Sequence, residues 1–198
     1  MKFGFNKHTE EEKETIILAS ASPRRSMLLE TVGIEFEVIP SGADEIADDS
    51  LPPHKIVMDI ARQKAVAVSA DYPNRTVVAC DTMVWMDGEM LGKPKDPEDA
   101  RRMLKLLSGR THWVFSGVCI KRGKKEKLFC EKTSVTFVKI GEAELEAYIA
   151  SGEPFDKAGA YAMQERGSAF VKKINGAPST VVGLPIWKFL QEIKRFPH

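Results

Sequence analysis

Apolar residues along this chain follow two spacings: short continuous runs, and longer stretches with about one apolar position per helical turn. The runs at 15–20 and 76–80 predict strands, and the second is continuous enough for a buried central strand. Between them, Pro52 and Pro53 open a helix that runs to about Ala70 with an apolar stripe on one face. Further strands are predicted at 36–40, about 111–120, about 127–138 and 168–174. Further helices are predicted to begin at Pro23, with Ser22 as N-cap and Met27 on the buried face, at Pro97, with Asp96 as N-cap, and at Glu142 and Pro185.

This mixture of helices with short and long strands predicts an α/β fold, in which helices flank a mixed, twisted sheet. Asp87 and Gly88 add a hairpin turn between two shorter apolar runs. The 198 residues suffice for one sizeable domain or two small lobes that share a cleft. Residues 1–14 are polar, so we expect a flexible N-terminal extension there and a single domain over 15–198.

Composition narrows the possible partners. The net charge is +1, from 29 basic and 28 acidic residues, which disfavours nucleic acid as the main partner. No run approaches the roughly 18 apolar residues of a membrane span, and the N-terminus lacks the apolar stretch of a signal peptide, so a cytoplasmic location is expected. Cys80, Cys119 and Cys130 lie too far apart for a zinc motif, and their odd number argues against a disulfide framework. They are interpreted as buried apolar residues in strands.

The first candidate for chemistry is the segment around Ser22, Arg24 and Arg25, where a strand gives way to a helix. Free backbone N–H groups at a helix N-terminus favour an anion, and arginines can bind phosphate oxygens in bidentate fashion. The alternative is an ordinary capped helix with surface arginines.

The second candidate is Lys64, which falls near the middle of the apolar stripe of the helix that begins at Pro53. A lysine there must snorkel to the surface, find a buried anion or line a cleft.

Carboxylates supply the third candidate. Asp81 and Thr82 directly follow the apolar run 76–80, and a carboxylate at the end of a buried strand is suited to hold a metal or activate water. Asp81 could equally be a plain strand terminator. Glu45, in an acidic loop with Asp44, could complete an oxygen site for a hard cation.

Two further segments are compatible with ligand binding. Lys93 follows Gly92 in a turn that lacks the spacing of a phosphate-binding P-loop. The glycine- and alanine-rich stretch 152–164 would let backbone approach a ligand, and the Gln164 amide can donate and accept at a base edge. The alternative for this stretch is a tight turn between lobes.

Taken together, these segments resemble the Maf family of nucleotide pyrophosphatases over nearly the whole chain. Its markers run from about Ile16 to the last helix and read LASASPRR, ADE, ARQKA, ACDTMV, GEMLGKP, LSGRTHWVFSGV, SGEPFDKAGAYAMQ and INGAPSTVVGLP. The resemblance implies an α/β fold related to the inosine-triphosphate pyrophosphatases, with two lobes around a cleft. It also implies hydrolysis of a nucleoside triphosphate to monophosphate and pyrophosphate with a divalent cation, Mg²⁺ or Mn²⁺.

The resemblance also implies a role for each matching residue. Asp81 matches the family's catalytic base, and Glu45, Lys64 and Lys93 match its other active-site residues. Of these, we expect the carboxylates of Asp81 and Glu45 to be the metal ligands. Arg25 matches its phosphate-binding arginine, and Ser22, at the start of the same helix, is expected to bind the substrate phosphate as well. The combination of Arg24, Thr82 and Gln164 resembles members that act on dTTP and UTP.

Other functions stay open at this point. A branch of the family that acts on 7-methyl-GTP differs at the three specificity positions, and a non-catalytic nucleotide-binding regulator of septum formation is a further alternative. The resemblance also implies homodimers, a link to cell-division arrest and a role in keeping modified nucleotides out of nucleic acid. The chain departs from the family pattern at Glu165, where glycine is common, and at Ser116, where threonine is frequent.

Overall fold

The fold is built on one mixed β-sheet, seen in a computed structural model that describes residues 15–197. The expected N-terminal extension, 1–14, lies outside the described residues. The strands are β1 (Ile16–Leu18), β2 (Phe36–Val38), β3 (Val77–Met86), β4 (Glu89–Leu91), β5 (Thr111–Arg122), β6 (Lys125–Phe137) and β7 (Val171–Asn175). The α-helices are α1 (Pro23–Thr31), α2 (Pro53–Ser69), α3 (Pro97–Leu107), α4 (Glu142–Ala150), α5 (Pro178–Val182) and α6 (Ile186–Arg195).

The strand order is β2-β1-β3-β5-β6-β7, with β4 paired to β3. β1 runs parallel to β2 and β3, and the remaining pairs are antiparallel. The predicted hairpin is confirmed, since Asp87 and Gly88 have φ angles of 51° and 85° and connect β3 to β4. Positive φ at both central residues is typical of the tight turns that suit the twist of paired strands.

One edge of β3 is shared between two short strands. β1 pairs there with Val77 and Val78, and β4 pairs there with 84–86. Within residues 15–197 no strand pairs with 79–83 on this edge, although β5 pairs with 77–85 on the opposite edge. Successive side chains point to opposite faces of a strand, so Asp81 and Thr82 flank this open stretch from the two faces of the sheet.

α2 packs against the sheet face that carries Asp81. Its predicted apolar stripe is confirmed, because all its members are buried: Ile56, Val57, Ile60, Ala61, Ala65 and Val68. The helix approaches β5 so closely that a Cβ on Gly117 would lie 2.4 Å from the carbonyl oxygen of Val57. Gly117 therefore fixes how near α2 comes to the sheet.

The apolar core divides along β3. Val78 and Cys80 pack with Leu29 of α1 and Phe189 of α6. Val84, further along β3, belongs to a separate cluster with α3, α4 and the end of β6. Asp81 and Thr82 sit where the two regions meet, in agreement with the predicted arrangement of two lobes around a cleft.

The ends of several elements also follow the prediction. Asp96 caps α3, its carboxylate accepting a hydrogen bond from the Asp99 backbone N–H, and α4 spans the predicted residues.

Cys80 and Cys119 are buried, Cys130 is partly buried, and all three lie on strands as free thiols. In the described chain no helix is long and apolar enough to cross a membrane.

Two predictions about elements were wrong. The strand predicted at 168–174 begins only at Val171, because 166–170 forms a 3₁₀ helix whose first N–H groups donate to the Glu153 carboxylate. Asp81 does not end a strand, because β3 continues through it to Met86. In addition, α5 was not predicted, and Met27, expected on the buried face of α1, is 42% exposed.

Candidate active site

A cleft of about 750 Å³ opens along the unpaired edge of β3. Its walls come from the end of β1 and the start of α1, the loop after β2, the turn after β4 and the segment that follows α4. All nine residues predicted for the site line it: Ser22, Arg24, Arg25, Glu45, Lys64, Asp81, Thr82, Lys93 and Gln164. These segments are far apart in sequence. They meet here because β1 stops short of the middle of β3 and leaves this edge open.

Lys64 forms ion pairs with two carboxylates, those of Asp81 and Glu45. Its Nζ lies 2.8 Å from Asp81 Oδ1 and 2.9 Å from Glu45 Oε1. The side chains of Lys64 and Asp81 are each 10% exposed, whereas that of Glu45 is 51% exposed. Of the alternatives open for Lys64, the buried anion and the cleft both apply, and snorkelling is wrong.

The second oxygen of Asp81, Oδ2, is buried and has no hydrogen-bond partner among the described residues. A buried carboxylate oxygen left without a donor is costly, and such atoms commonly await water, an ion or a ligand. No group of three or more histidine, cysteine or acidic side chains suited to a metal occurs within residues 15–197. Mg²⁺ is often held by only one or two carboxylates together with phosphate oxygens and water, so Asp81 and Glu45 fit an ion that arrives with a phosphate.

Arg25 is held rigidly on the opposite side of the cleft. Its Nε donates to the carbonyl oxygen of Gly183 at 2.9 Å. Its terminal nitrogens donate to Ser20 Oγ at 2.8 Å and to Thr82 Oγ1 at 3.3 Å. A guanidinium fixed by three neutral acceptors keeps its full positive charge for an anion in the cleft.

Arg24 reaches across the cleft to the segment after α4. Its guanidinium lies 3.3 Å from Asp156 Oδ2, and Asp156 Oδ1 accepts from Lys157 Nζ at 2.6 Å. Burial alone would raise the pKa of Asp156, but the hydrogen bond and charge of Lys157, together with Arg24, outweigh burial and lower that pKa. Asp156 therefore stays ionised and ties the predicted specificity residue Arg24 to the far wall.

The remaining predicted residues lie closer to solvent. Lys93 and Gln164 are exposed at the cleft, and Ser22 occupies the N-cap position of α1. The prediction that Ser22 caps this helix was wrong in one respect, because its side chain makes no capping hydrogen bond. Asp44 is exposed and does not line the cleft.

Two contributors were missed by the sequence reasoning. Lys157 is 6% exposed and donates to Asp156 and to the Glu153 carbonyl oxygen, and Ser116 is fully buried and bonds to Thr82. The position of Lys157 beside an aspartate in a glycine- and alanine-rich turn could have indicated from the sequence that it contributes to the site. Ser116 lies in an apolar strand, and only the register of β5 on β3 places it opposite Thr82.

A buried aromatic cluster supports the wall beside Gln164. Tyr161 lines the cleft, and its hydroxyl shares a 2.8 Å hydrogen bond with His112 Nε2. The His112 ring packs edge-on against Phe137, and burial lowers the pKa of His112 to about 4. His112 therefore acts as a neutral, structural residue at physiological pH.

Comparison with known proteins places this geometry in a family. A statistical description of the family called Maf-like protein matches residues 15–196. A protein of Bacillus mycoides named dTTP/UTP pyrophosphatase is 46% identical over 181 residues, which cover 91% of this chain and 95% of the relative. A Bacillus anthracis protein of the same name is 47% identical over 181 residues, with the same coverage.

Among solved structures, the Ham1 protein of Staphylococcus aureus has a TM-score of 0.51 to this chain at 15% identity, covering 92% of this chain and 98% of that one. This likeness concerns the fold and agrees with the predicted architecture of helices around a mixed sheet. The extent of the family match, the identity to these relatives and the convergence of the motif residues on one cleft lead to the same conclusion: this chain belongs to the Maf-like protein family.

Proposed function

We propose that this chain is a nucleoside triphosphate pyrophosphatase that hydrolyses dTTP and UTP to the monophosphate and pyrophosphate. The observation that carries the proposal is the Lys64–Asp81–Glu45 group, in which Lys64 and Asp81 are buried and which lines one cleft together with Arg25. The relatives named dTTP/UTP pyrophosphatase support the reaction and the substrates.

Asp81 is proposed as the general base. Its Oδ1 is occupied by Lys64, while its buried Oδ2 has no partner among the described residues and is free to take a proton from an attacking water. Glu45 and Asp81 would hold Mg²⁺ or Mn²⁺, which when bound neutralises phosphate charge and polarises the reacting groups. Lys64 orients Asp81, and its positive charge reduces the repulsion between the Asp81 and Glu45 carboxylates.

Arg25, Lys64 and Lys93 are proposed to stabilise the charge that builds up on the phosphates. Donors that are already oriented cost no reorganisation as the reaction proceeds, and Arg25 is fixed by Ser20 and Gly183. Ser22 sits at the start of α1, where backbone N–H groups favour a phosphate oxygen. Loss of one such contact is expected to cost about 2–4 kcal/mol in the barrier.

Base selection is assigned to Arg24, Thr82 and Gln164. Uracil and thymine present acceptor, donor and acceptor along their pairing edge, whereas cytosine reverses two of these groups. An amide such as that of Gln164 offers both a donor and an acceptor to this edge, and its NH₂ group suits the carbonyl oxygens of the base. The methyl group of thymine needs only a little apolar room, so both dTTP and UTP are accepted.

A nucleotide panel with Mg²⁺ or Mn²⁺ tests the proposal, with products separated by chromatography. We expect monophosphate and pyrophosphate from dTTP and UTP, a lower kcat/KM for CTP and purine nucleotides, and loss of turnover on chelation. Asp81→Asn should stay folded and lose nearly all turnover. Diphosphate as the first product would contradict the chemistry, and highest kcat/KM for 7-methyl-GTP would contradict the substrate.

Nucleotide binding without hydrolysis would instead support the non-catalytic regulator.

The free thiols Cys80, Cys119 and Cys130 agree with a reducing compartment, and the cytoplasm is proposed as the place of action. The homodimer, the link to cell division and the removal of modified nucleotides stay predictions.

A further inference from the structure

Thr82 belongs to a short chain of hydrogen bonds that leads away from the cleft into the core. Its Oγ1 lies 2.8 Å from Ser116 Oγ, and Ser116 Oγ lies 2.7 Å from the carbonyl oxygen of Thr180. Ser116 and Thr180 are fully buried, so water does not compete for these bonds. Thr82, by contrast, is partly exposed and lines the cleft.

The direction of every bond in this chain is fixed by chemistry. A carbonyl oxygen can only accept, so the single hydroxyl hydrogen of Ser116 is directed to Thr180. Ser116 then has only lone pairs left, and the hydroxyl hydrogen of Thr82 must be directed to Ser116. On the other side, the Arg25 guanidinium can only donate, and it donates to Thr82 Oγ1 at 3.3 Å.

Thr82 therefore presents only acceptor capacity to the cleft. A hydroxyl has one hydrogen and two lone pairs, and here the hydrogen is bound to Ser116 and one lone pair faces Arg25. Gly183 keeps the surroundings tight, since a Cβ there would lie 3.4 Å from Thr82 Oγ1. One lone pair of Thr82 stays available for a donor on a ligand.

We propose that Ser116 is a positioning residue for base selection: by holding the hydroxyl hydrogen of Thr82, it makes Thr82 an acceptor that receives the N3–H of uracil or thymine. Cytosine carries a lone pair at N3, so two acceptors would face each other. The inference rests on the proposed function, because it concerns how the same cleft tells UTP from CTP.

The test compares kcat/KM for UTP and CTP in Ser116→Ala, which releases the Thr82 hydrogen to turn toward the cleft. We expect the UTP-to-CTP ratio to fall about threefold to tenfold, the range of one neutral hydrogen bond, mainly through a lower KM for CTP. Ser116→Thr keeps both hydrogen bonds and should keep the wild-type ratio.

Thr133→Val is the matched control for loss of a buried hydroxyl. Thr133 is fully buried on β6 and donates to the carbonyl oxygen of Ala177, beside the same helix α5, at 3.0 Å. This variant should lose a comparable amount of thermal stability and keep the wild-type UTP-to-CTP ratio. An unchanged ratio in Ser116→Ala, with stability lowered as in Thr133→Val, would overturn the inference and leave the proposed function intact.

Two further measurements keep the inference testable. If Ser116→Ala does not fold, Thr82→Val deletes the acceptor, and the ratio should fall through a higher KM for UTP; an unchanged ratio there refutes the inference. Calorimetric dissociation constants for UMP and CMP give the selectivity without turnover. Absence of turnover in the wild type would refute the proposed function. The role of Ser116 would still be decided by whether Ser116→Ala narrows the difference between the dissociation constants for UMP and CMP.

Discussion

Gly117 of β5 pairs with Asp81 of β3, and a Cβ on Gly117 would lie 2.4 Å from the carbonyl oxygen of Val57 in α2. The helix that delivers Lys64 thus rests on the sheet directly beside the proposed base. The distance between Lys64 and Asp81 is set by a glycine that belongs to neither of these elements.

The first prediction is that Gly117→Ala destabilises the protein and lowers turnover. The added methyl group must push α2 off the sheet, since the contact is with backbone, and overpacking of this kind costs about 1–3 kcal/mol. A displacement of about 1 Å at a reacting group can cost roughly 100-fold in rate. Urea unfolding and kcat/KM for UTP measure both effects.

Gly141→Ala is the control for this prediction. A Cβ on Gly141 would meet only the flexible carboxylate end of Glu144, at 3.4 Å. It should change stability by a few tenths of a kcal/mol and leave turnover intact. Equal stability and turnover of Gly117→Ala and wild type would show that α2 adjusts without cost.

The second prediction concerns Lys64→Met, which should reduce both turnover and stability. The change leaves the Asp81 carboxylate buried without its cation, and breaking one side of a buried ion pair costs about 3 kcal/mol or more. Adding Asp81→Asn removes the stranded charge, so the double variant should unfold at higher urea than Lys64→Met alone. Both variants should be nearly inactive.

Lys105→Met is the matched surface change. Lys105 Nζ lies 2.9 Å from Glu142, but both side chains are at least half exposed. Such pairs contribute under about 1 kcal/mol, so stability and turnover should stay near wild type. A loss of stability no larger in Lys64→Met than in Lys105→Met would argue against a structural ion pair in the cleft.

The third prediction is that His112 makes stability fall in acid. The unfolded chain protonates this side chain near 6.5, while in the folded protein its pKa is about 4. Between these values the unfolded state binds one proton more, so the free energy of unfolding decreases by about 1.4 kcal/mol for each unit of falling pH. The double variant His112→Leu/Tyr161→Phe removes the titrating group without leaving the tyrosine hydroxyl unpaired.

Urea unfolding of that double variant from pH 7 to pH 4.5 should therefore show a flatter pH dependence than the wild type. His54→Gln, at an exposed position, is the control and should keep the wild-type slope. Identical slopes in all three proteins would exclude His112 as the source of the acid sensitivity.

The fourth prediction is that Asp156→Asn raises KM for dTTP and UTP about tenfold, with a smaller change in kcat. Arg24 loses a charged partner that holds it across the cleft, and hydrogen bonds to charged groups are worth more than neutral ones. Glu142→Gln, in an exposed ion pair, should leave KM unchanged. An unchanged KM in Asp156→Asn would show that Arg24 needs no such anchor.

Local patterns in the sequence were enough for some features. The apolar stripe of α2, the cap at Asp96 and the turn at Asp87-Gly88 depend on residues within a few positions of each other, and all three are confirmed. The position of Lys64 on its stripe left three alternatives open, and two of them, the buried anion and the cleft, are found in the structure.

Features that depend on partners distant in sequence were not accessible in the same way. The apolar run before Asp87 indicated a strand there, but nothing near Asp81 shows that this strand is continuous with 76–80, or that β1 stops and β4 begins on the same edge. The direction of the Thr82 hydroxyl hydrogen likewise depends on Ser116 and Thr180. These residues reach Thr82 only through the register of β5 and the placement of α5.

The anchor of Arg25 has a consequence for how the protein is made. The Gly183 carbonyl oxygen that accepts from Arg25 Nε lies 158 residues further along the chain. A ribosome therefore synthesises the anchor 158 residues after the arginine, and closing so long a loop carries an entropic cost that only the finished sheet can offset. Chains interrupted before α5 will contain Arg25, Lys64 and Asp81 yet lack the contact that fixes the guanidinium. Incomplete translation products of this protein are thus expected to be inactive toward nucleotides, whatever part of the sheet they have already formed.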